Sequence, residues 1–284
     1  MENVTLSVLS VGDLYESFTR LFIKKLDAIY DDKINLCITT DRDFSRKINS
    51  EKVICHFNIL SSEIVKPSGY TLPGHGKSTF FKYYLKSLAL SYSARKLPNN
   101  SICHTDTDVL PTKGFSKSCF DSLVDRGLYC SNIVKCSGDY HQVYNAAGEI
   151  MINHKLKTIV NHFLPDLQEK DFAEMRCPIE NRLYFNKIDV DTMVKFCNKW
   201  YEIGKFVDSK NLQRYGDCFE IKPACMMYGI DIIETHLLPF DDGFKGTFAD
   251  MFNKRVTKND CPEEYRDLNE EEFLNYALEK FNYI

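Results

Sequence analysis

Three apolar segments in the first 110 residues each lead into acidic residues, and this repeated pattern constrains the fold more than any other feature. TLSVLSV (5–11), INLCITT (34–40) and SICHTDTDVL (101–110) predict buried strands. Apolar residues at helical spacing run from Leu14 to Ile29 and again over 78–97. Strands that alternate with helices indicate parallel β-α-β units covered on both faces. The sequence therefore predicts an α/β fold with a mostly parallel sheet flanked by helices.

The rest of the chain continues this pattern less regularly. VICHFNIL predicts another strand over 53–60, QVYNAAGEIMIN is strand-like over 142–153, and helical spacing recurs over 154–164, 191–203 and 268–282. Asp13, with Glu16 three residues on, predicts a capping-box start for the first helix. No repeat or clear linker divides the sequence. We therefore expect one domain over 1–284, with a first half over 1–115, an irregular second half over 116–250 and a helical extension over 251–284.

Composition excludes several classes of protein. The 284 residues carry 36 Lys and Arg against 40 Asp and Glu, so net charge gives no general attraction to nucleic acid or anionic membranes. Eleven cysteines lack any C-x-x-C pair and lie mostly in apolar segments, which favours buried free thiols in a reducing compartment. No signal-peptide pattern and no apolar run of membrane-spanning length is present. These features predict a cytoplasmic protein without a membrane span.

The segment TLPGHGKST (71–79) is similar to a phosphate-binding loop but has the wrong spacing. Such a loop requires G-x-x-x-x-G-K-[ST], and the position five residues before Gly76 holds Thr71. One interpretation is a plain loop in which Ser78 caps the following helix. The other is that Lys77, near a helix start, contacts a phosphate held mainly by another motif.

The sequence contains three Asp-x-Asp pairs, at 41 and 43, at 106 and 108, and at 189 and 191. The last pair opens a helix and is explained by capping. Arg42 divides the first pair, although Asp41 could contact a ribose or base. Asp106 and Asp108 end a strand, and alternate strand residues project to one side, so their oxygens could hold Mg²⁺ or Mn²⁺ against a diphosphate. The alternative is a solvated turn.

Four segments, in order, resemble the GT-A glycosyltransferases, which use nucleotide sugars and carry a DxD motif. The segments are SVGDLYESFTRLFIKKL with INLCITTD, then KYYLKSLALSYSARKLPNNSICHTDTDVL, then YNAAGEIMINHK, and last THLLPFDDGFKG. The third resembles the sugar-lining segment of retaining members such as the glycogenin-type and blood-group-type enzymes. The resemblance spans roughly residues 5–246 and implies a GT-A fold with 1–115 as the nucleotide-binding half and 116–250 as the donor-sugar and acceptor half.

The resemblance also implies roles for individual residues. Asp106 and Asp108 would bind Mn²⁺ or Mg²⁺ with His236 as a third ligand, and Lys245 would contact the diphosphate. The other residues that the resemblance places at the nucleotide and donor are Val11, Asp13, Tyr15, Lys77, Asn145, Ala146, Ala147 and Gly148. Asp41 is added to them because it follows the second predicted strand. For the catalytic carboxylate of a retaining enzyme, Glu180 is favoured and Glu220 is the second choice.

The predicted function is a metal-dependent transfer of a sugar from a nucleotide sugar, UDP-sugar being favoured. The acceptor is left open among a cytosolic glycan, a protein, a small molecule and a hydroxymethylated DNA base. Two alternatives remain: a phosphotransferase built on GHGKST, and a non-catalytic protein that binds nucleotide sugars or glycans.

Overall fold

The computed structural model describes residues 4–65, 82–131, 133–135, 151–167, 176–178, 181–210, 212, 218–241, 243 and 245–281. Within them the chain is an α/β protein, as the sequence predicts. Of the strands, seven form the central sheet: β1 (Val4–Ser10), β2 (Ile34–Thr40), β3 (Val53–Ile59), β4 (Ser101–Thr105), β6 (Gly127–Cys130), β9 (Arg182–Asn186) and β10 (Ile232–Glu234). Two small antiparallel pairs join β5 (Leu110–Pro111) to β11 (Phe240–Asp241) and β7 (Ile133–Lys135) to β8 (Arg176–Pro178).

The central sheet has the strand order β10-β6-β9-β4-β1-β2-β3. In this sheet β9 is antiparallel to its neighbours β4 and β6, and the other pairings between described strands are parallel. From β1 the chain moves outward to β2 and β3, and then returns to place β4 on the other side of β1. The strand order therefore reverses between β1 and β4. In open α/β sheets, ligands bind beyond the carboxyl ends of the strands at such a reversal.

Helices cover both faces of the sheet. Their bounds are α1 (Asp13–Ile29), α2 (Lys86–Lys96), α3 (Met151–Phe163), α4 (Val190–Ser209), α5 (Cys218–Met227), α6 (Lys245–Thr257), α7 (Glu263–Arg266) and α8 (Glu270–Lys280). One apolar core lies between the sheet and α1, α6, α7 and α8. The second lies between the opposite face and α2 to α5. None of the described helices is both long and apolar enough to cross a membrane.

The C-terminal helix α8 is joined to α1 by ion pairs as well as by the core. The Arg20 guanidinium, almost fully buried, lies 2.5 Å from Glu270 and 3.0 Å from Glu271. Asn269 and Glu272 form a reciprocal capping box at the start of α8. The predicted helical extension is therefore part of the folded core on the α1 face.

Three local predictions are wrong. Asp13 does not cap α1: Gly12 is the cap residue, at φ 88°, and the Asp13 carboxylate pairs with Arg42 instead. Residues 151–153, expected in a strand, begin α3; residues 142–150 of that prediction lie outside the described part. The predicted 101–110 strand is split: β4 ends at Thr105, and Leu110, with Pro111 beyond the predicted segment, pairs with β11 in a separate sheet.

The cysteines fit the prediction of reduced, buried thiols. All nine cysteines that the structure describes in detail are free, and seven of them are buried. Burial raises the pKa of Cys37 to about 11, and the pKa values of Cys103, Cys197 and Cys225 are raised further by the same cause. These thiols stay protonated and act as small apolar side chains.

Candidate functional site

The acidic pair lies at the point where the strand order reverses. β4 ends at Thr105, and the Val109 N–H donates to the Asp106 carbonyl at 3.1 Å, which closes a tight turn. Asp106 and Asp108 both belong to this turn, beside the carboxyl end of β1. The two carboxylates are close enough for the charge of Asp106 to raise the pKa of Asp108.

Asp106 forms an ion pair with a lysine that the sequence interpretation missed. Lys86 Nζ lies 2.9 Å from Asp106 Oδ1 and 3.2 Å from Oδ2. Only 6% of the Lys86 side chain is exposed, and its ammonium lies 5.6 Å from the centre of the Tyr83 ring. No base is adjacent to the acidic pair in the sequence, and the contact forms because α2, which begins at Lys86, packs beside β4. The sequence does contain an indication of this contact, since Lys86 is a charged residue among the apolar residues of YYLKSLAL.

Asp108 is the more strongly perturbed of the two carboxylates. Burial, together with the charge of Asp106, raises its pKa to about 6, although Lys245 and Lys86 work in the opposite direction. Its Oδ1 atom is buried and has no hydrogen-bond partner in the protein. Two carboxylates held close together and partly desolvated are electrostatically unfavourable unless a proton or cation is shared between them.

The small β5-β11 sheet positions the start of α6, and with it Lys245, close to Asp108. In that sheet Asp241 pairs with Leu110, shortly after the acidic turn, and α6 begins with Lys245. Lys245 Nζ lies 3.9 Å from Asp108 Oδ2, and 47% of the lysine side chain is exposed. The contact is long and solvated, so the Lys245 ammonium can move to a ligand phosphate at little energetic cost.

Tyr15, on the first turn of α1, faces the same pair. Burial raises the pKa of its hydroxyl well above the usual value, and the charges of Asp108 and Asp106 add to this effect. The hydroxyl therefore stays protonated and can donate a hydrogen bond. Val11, just before α1, is buried.

A polar contact joins the ends of β1 and β2. The Gly12 N–H donates to Asp41 Oδ1 at 3.1 Å, and Arg42 Nη2 donates to Asp41 Oδ2 at 2.9 Å. Burial acts to raise the pKa of Asp41, but the hydrogen bonds from Arg42 and Gly12 outweigh it and bring that pKa below its usual value. Arg42 also pairs with the exposed Asp13. Asp41 is thus an ionised carboxylate fixed at the sheet edge beside the residue that precedes α1.

His104, two residues before Asp106, is a second feature that the sequence interpretation passed over. It is fully buried, and its Nδ1 lies 3.3 Å from Ser7 Oγ on β1. Burial, with a contribution from Lys86, lowers its pKa to about 3, so the ring is neutral. His104 therefore supports the end of β4 without adding charge to the site.

Two further predicted residues have other surroundings, and the rest lie outside the part of the chain that the structure describes. His236 is exposed, and no group of three or more His, Cys, Asp or Glu side chains suited to a metal is found among the described residues. Glu220 is buried in α5 in an ion pair with Lys155 of α3, at 2.9 Å. Lys77, Asn145, Ala146, Ala147, Gly148 and Glu180 lie outside the described residues.

The pKa of Asp108 predicts a pH effect on stability. The carboxyl titrates near 3.8 when unfolded and at about 6 when folded, so the folded state binds more protons between these values. The wild type therefore loses stability as pH rises through this window, and Asp108→Asn lacks this loss. We expect the Tm of the variant minus that of the wild type to grow from about pH 4 to pH 6 and then stay constant. A difference independent of pH would contradict the raised pKa.

Comparison with known proteins adds no assignment: neither a protein family nor a curated protein sequence matches the chain.

Proposed function

We propose that the protein is a metal-dependent glycosyltransferase that moves a sugar from a nucleotide-sugar donor, with UDP-sugars favoured. The observation that carries this proposal is the position of Asp106 and Asp108 at the carboxyl end of β4, where the strand order reverses. That location is where α/β sheets bind nucleotides and similar ligands. The GT-A resemblance of the sequence points to the same two residues.

The acidic pair suits a hard cation. Mg²⁺ commonly binds proteins through one or two carboxylates and completes its shell with substrate phosphates and water, so two protein ligands are enough. The buried Asp108 Oδ1 atom, without a partner in the protein, and the raised pKa of Asp108 are both features that a cation would relieve. When bound, Mg²⁺ or Mn²⁺ neutralises charge on the diphosphate as the bond to the sugar breaks.

The nucleoside lies over the ends of β1 and β2 in this proposal. Asp41 accepts hydrogen bonds from a ribose hydroxyl or base N–H, and Tyr15 contacts the nucleoside between Asp41 and the acidic pair. Val11 and Asp13 border the same place. The support is that Asp41 is ionised, fixed by Gly12 and Arg42, and next to the strand-order reversal.

The two lysines have different roles, one at the leaving diphosphate and one at the acidic pair. Lys245, half exposed and only 3.9 Å from Asp108, turns to a phosphate oxygen and balances negative charge there. Lys86, buried against Asp106, holds that carboxylate in one orientation. Lys77, Asn145 to Gly148 and the catalytic Glu180 complete the proposed donor site, and a retaining outcome remains part of the proposal.

A binding screen tests this function. Thermal unfolding is followed with UDP, UDP-glucose, GDP-mannose and ATP, each with Mn²⁺, with Mg²⁺ or with EDTA. We expect stabilisation that needs the metal and favours a nucleoside diphosphate or its sugar, by about 2.7 kcal/mol at 100 times Kd. Stabilisation by ATP without metal would overturn the proposal in favour of a phosphotransferase.

A second measurement separates an enzyme from a binding protein. Slow release of free sugar from the best-binding donor, without any acceptor, is expected of a glycosyltransferase because water replaces the acceptor. Metal-dependent binding with no hydrolysis and no transfer to glycan, protein or hydroxymethylated DNA would indicate a non-catalytic nucleotide-sugar binder.

A further inference from the structure

Tyr83 lies beside the acidic pair and is not among the donor contacts proposed so far. It opens the short 3₁₀ turn Tyr83–Leu85 that leads into α2, and the Lys86 ammonium lies over its ring, 5.6 Å from the ring centre. The same ammonium lies 2.9 Å from Asp106 Oδ1. Lys86 therefore contacts both a carboxylate of the acidic pair and the face of an aromatic ring.

The residue that follows Tyr83 fixes its position. Tyr84 is 3% exposed, packs against Gly204 of α4, and has its ring centre 5.3 Å from that of Tyr201. The Ser87 hydroxyl donates to the Tyr84 carbonyl at 2.6 Å. Tyr83, by contrast, is only half-buried. Tyr84 thus anchors the turn in the second core, and this anchoring leaves the Tyr83 ring at the site.

The electrostatics of Tyr15 independently place Tyr83 at the same site. Burial is the main cause of the raised pKa of Tyr15, and the charges of the acidic pair and of Tyr83 add to it. Charges act in this way only on groups that lie near them. Tyr83 therefore lies close to Tyr15 as well as to Lys86, at one edge of the acidic pair.

The Tyr83 ring matters because Lys86 has little contact with water. Only 6% of the Lys86 side chain is exposed, and the attraction between an ammonium and an aromatic face is strongest when the cation is desolvated. Two neighbouring carboxylates draw a cation towards a position shared between them. A divalent metal needs that same shared position, so an ammonium that moved there would compete with the metal. The ring opposes this movement because it attracts Lys86 to the side of Asp106.

We propose that Tyr83 is a positioning residue, which holds the Lys86 ammonium against Asp106 and so leaves the acidic pair available to a divalent cation. The inference rests on the proposed function for the role of that cation. It assigns the effect to the aromatic ring of Tyr83 and not to its hydroxyl group. Neither Tyr83 nor Lys86 is among the residues that the family resemblance assigned.

A double-mutant cycle in the full chain tests this role. The variants are Tyr83→Leu, Lys86→Met and the two combined, and the Kd of Mn²⁺ alone is measured by calorimetry. We expect Tyr83→Leu to weaken Mn²⁺ binding about 5- to 10-fold, but to change it less than twofold when Lys86 is already replaced. Tyr83→Phe keeps the ring and should bind Mn²⁺ within twofold of the wild type.

Tyr276→Leu is the matched control, because α8 carries the same three groups in solvent. Lys280 Nζ lies 5.3 Å from the centre of the half-buried Tyr276 ring and 3.1 Å from Glu264, and 42% of the lysine side chain is exposed. The Tyr276 hydroxyl also donates to Glu264, at 2.9 Å. We expect this variant to keep the Mn²⁺ affinity of the wild type.

Two results would overturn the proposal. One is an unchanged Mn²⁺ Kd in Tyr83→Leu. The other is an equal loss of Mn²⁺ affinity with and without Lys86, because Tyr83 would then not act through that lysine.

Failure of the proposed function is distinguishable from failure of this inference. If the wild type binds no Mn²⁺, the proposed metal-dependent function fails, and urea denaturation of the same four proteins decides whether Tyr83 positions Lys86. Stability losses that are smaller together than the sum of the two single losses support the contact, whereas additive losses overturn it.

Discussion

Replacing Asp108 by Asn should abolish metal-dependent donor binding and lower the rate of donor hydrolysis by about 10²- to 10³-fold, while the ligand-free protein becomes more stable at neutral pH. The stabilisation follows because Asp108 carries a charge that burial and Asp106 both disfavour, as its pKa of about 6 indicates. A neutral amide of the same shape removes that repulsion. Opposite changes in activity and stability are typical of a site built for a ligand.

The matched variant Asp106→Asn should lose the same activity but also lose stability, by about 1–3 kcal/mol. The difference arises because Lys86, with 6% of its side chain exposed, would lose the carboxylate that now lies 2.9 Å from its ammonium. Urea denaturation gives the stabilities, and sugar release from the best-binding donor gives the rates. Equal stability changes in the two variants would contradict the assignment of the Lys86 ion pair to Asp106. Full activity in Asp108→Asn would exclude the acidic pair from the reaction.

The sequence predicts the strands of the first half well because their signal is local. β2 matches the predicted 34–40 segment, and β1 and β3 each differ from the prediction by a single residue at one or both ends. Apolar runs that end in polar residues are a property of the strand itself, and they also identify the edge at which Asp41 and Asp106 lie. Asp106 and Asp108 could therefore be selected from the sequence as the candidate site, without knowledge of any tertiary contact.

What the sequence could not predict depends on contacts between distant segments. Lys86 reaches Asp106 through α2, and this contact leaves no periodic signal. Lys245, which the family resemblance alone suggested, is brought to Asp108 by the β5-β11 pairing. The second half of the chain shows the same limit. The predicted helix over 191–203 continues through Gly204 to Ser209. Gly204 packs against Tyr84, and a Cβ atom at this position would lie only 2.2 Å from Tyr84 Cβ. This glycine permits close packing between α4 and the segment before α2.

Lys155→Met should destabilise the protein by about 3–5 kcal/mol, because it removes the ammonium that pairs with Glu220 in the second core. The two atoms lie 2.9 Å apart, and only 5% of the lysine and 3% of the glutamate side chain are exposed. A carboxylate cannot remain ionised there without a large desolvation cost. Lys254→Met is the control, since Lys254 and Asp250 form an exposed pair on α6 and the expected loss is about 0.5 kcal/mol or less.

The double variant Lys155→Met with Glu220→Leu decides what Glu220 does. Replacing both members of a buried pair by apolar residues of similar size is often neutral, so we expect urea denaturation to return most of the lost stability. If Glu220 only neutralises Lys155, the double variant also keeps the wild-type rate of donor hydrolysis. If Glu220 is the carboxylate that faces the sugar, the double variant folds but is inactive. A double variant less stable than Lys155→Met alone would contradict the assignment of Glu220 to Lys155, because Glu220 would then make a further stabilising interaction that Glu220→Leu removes.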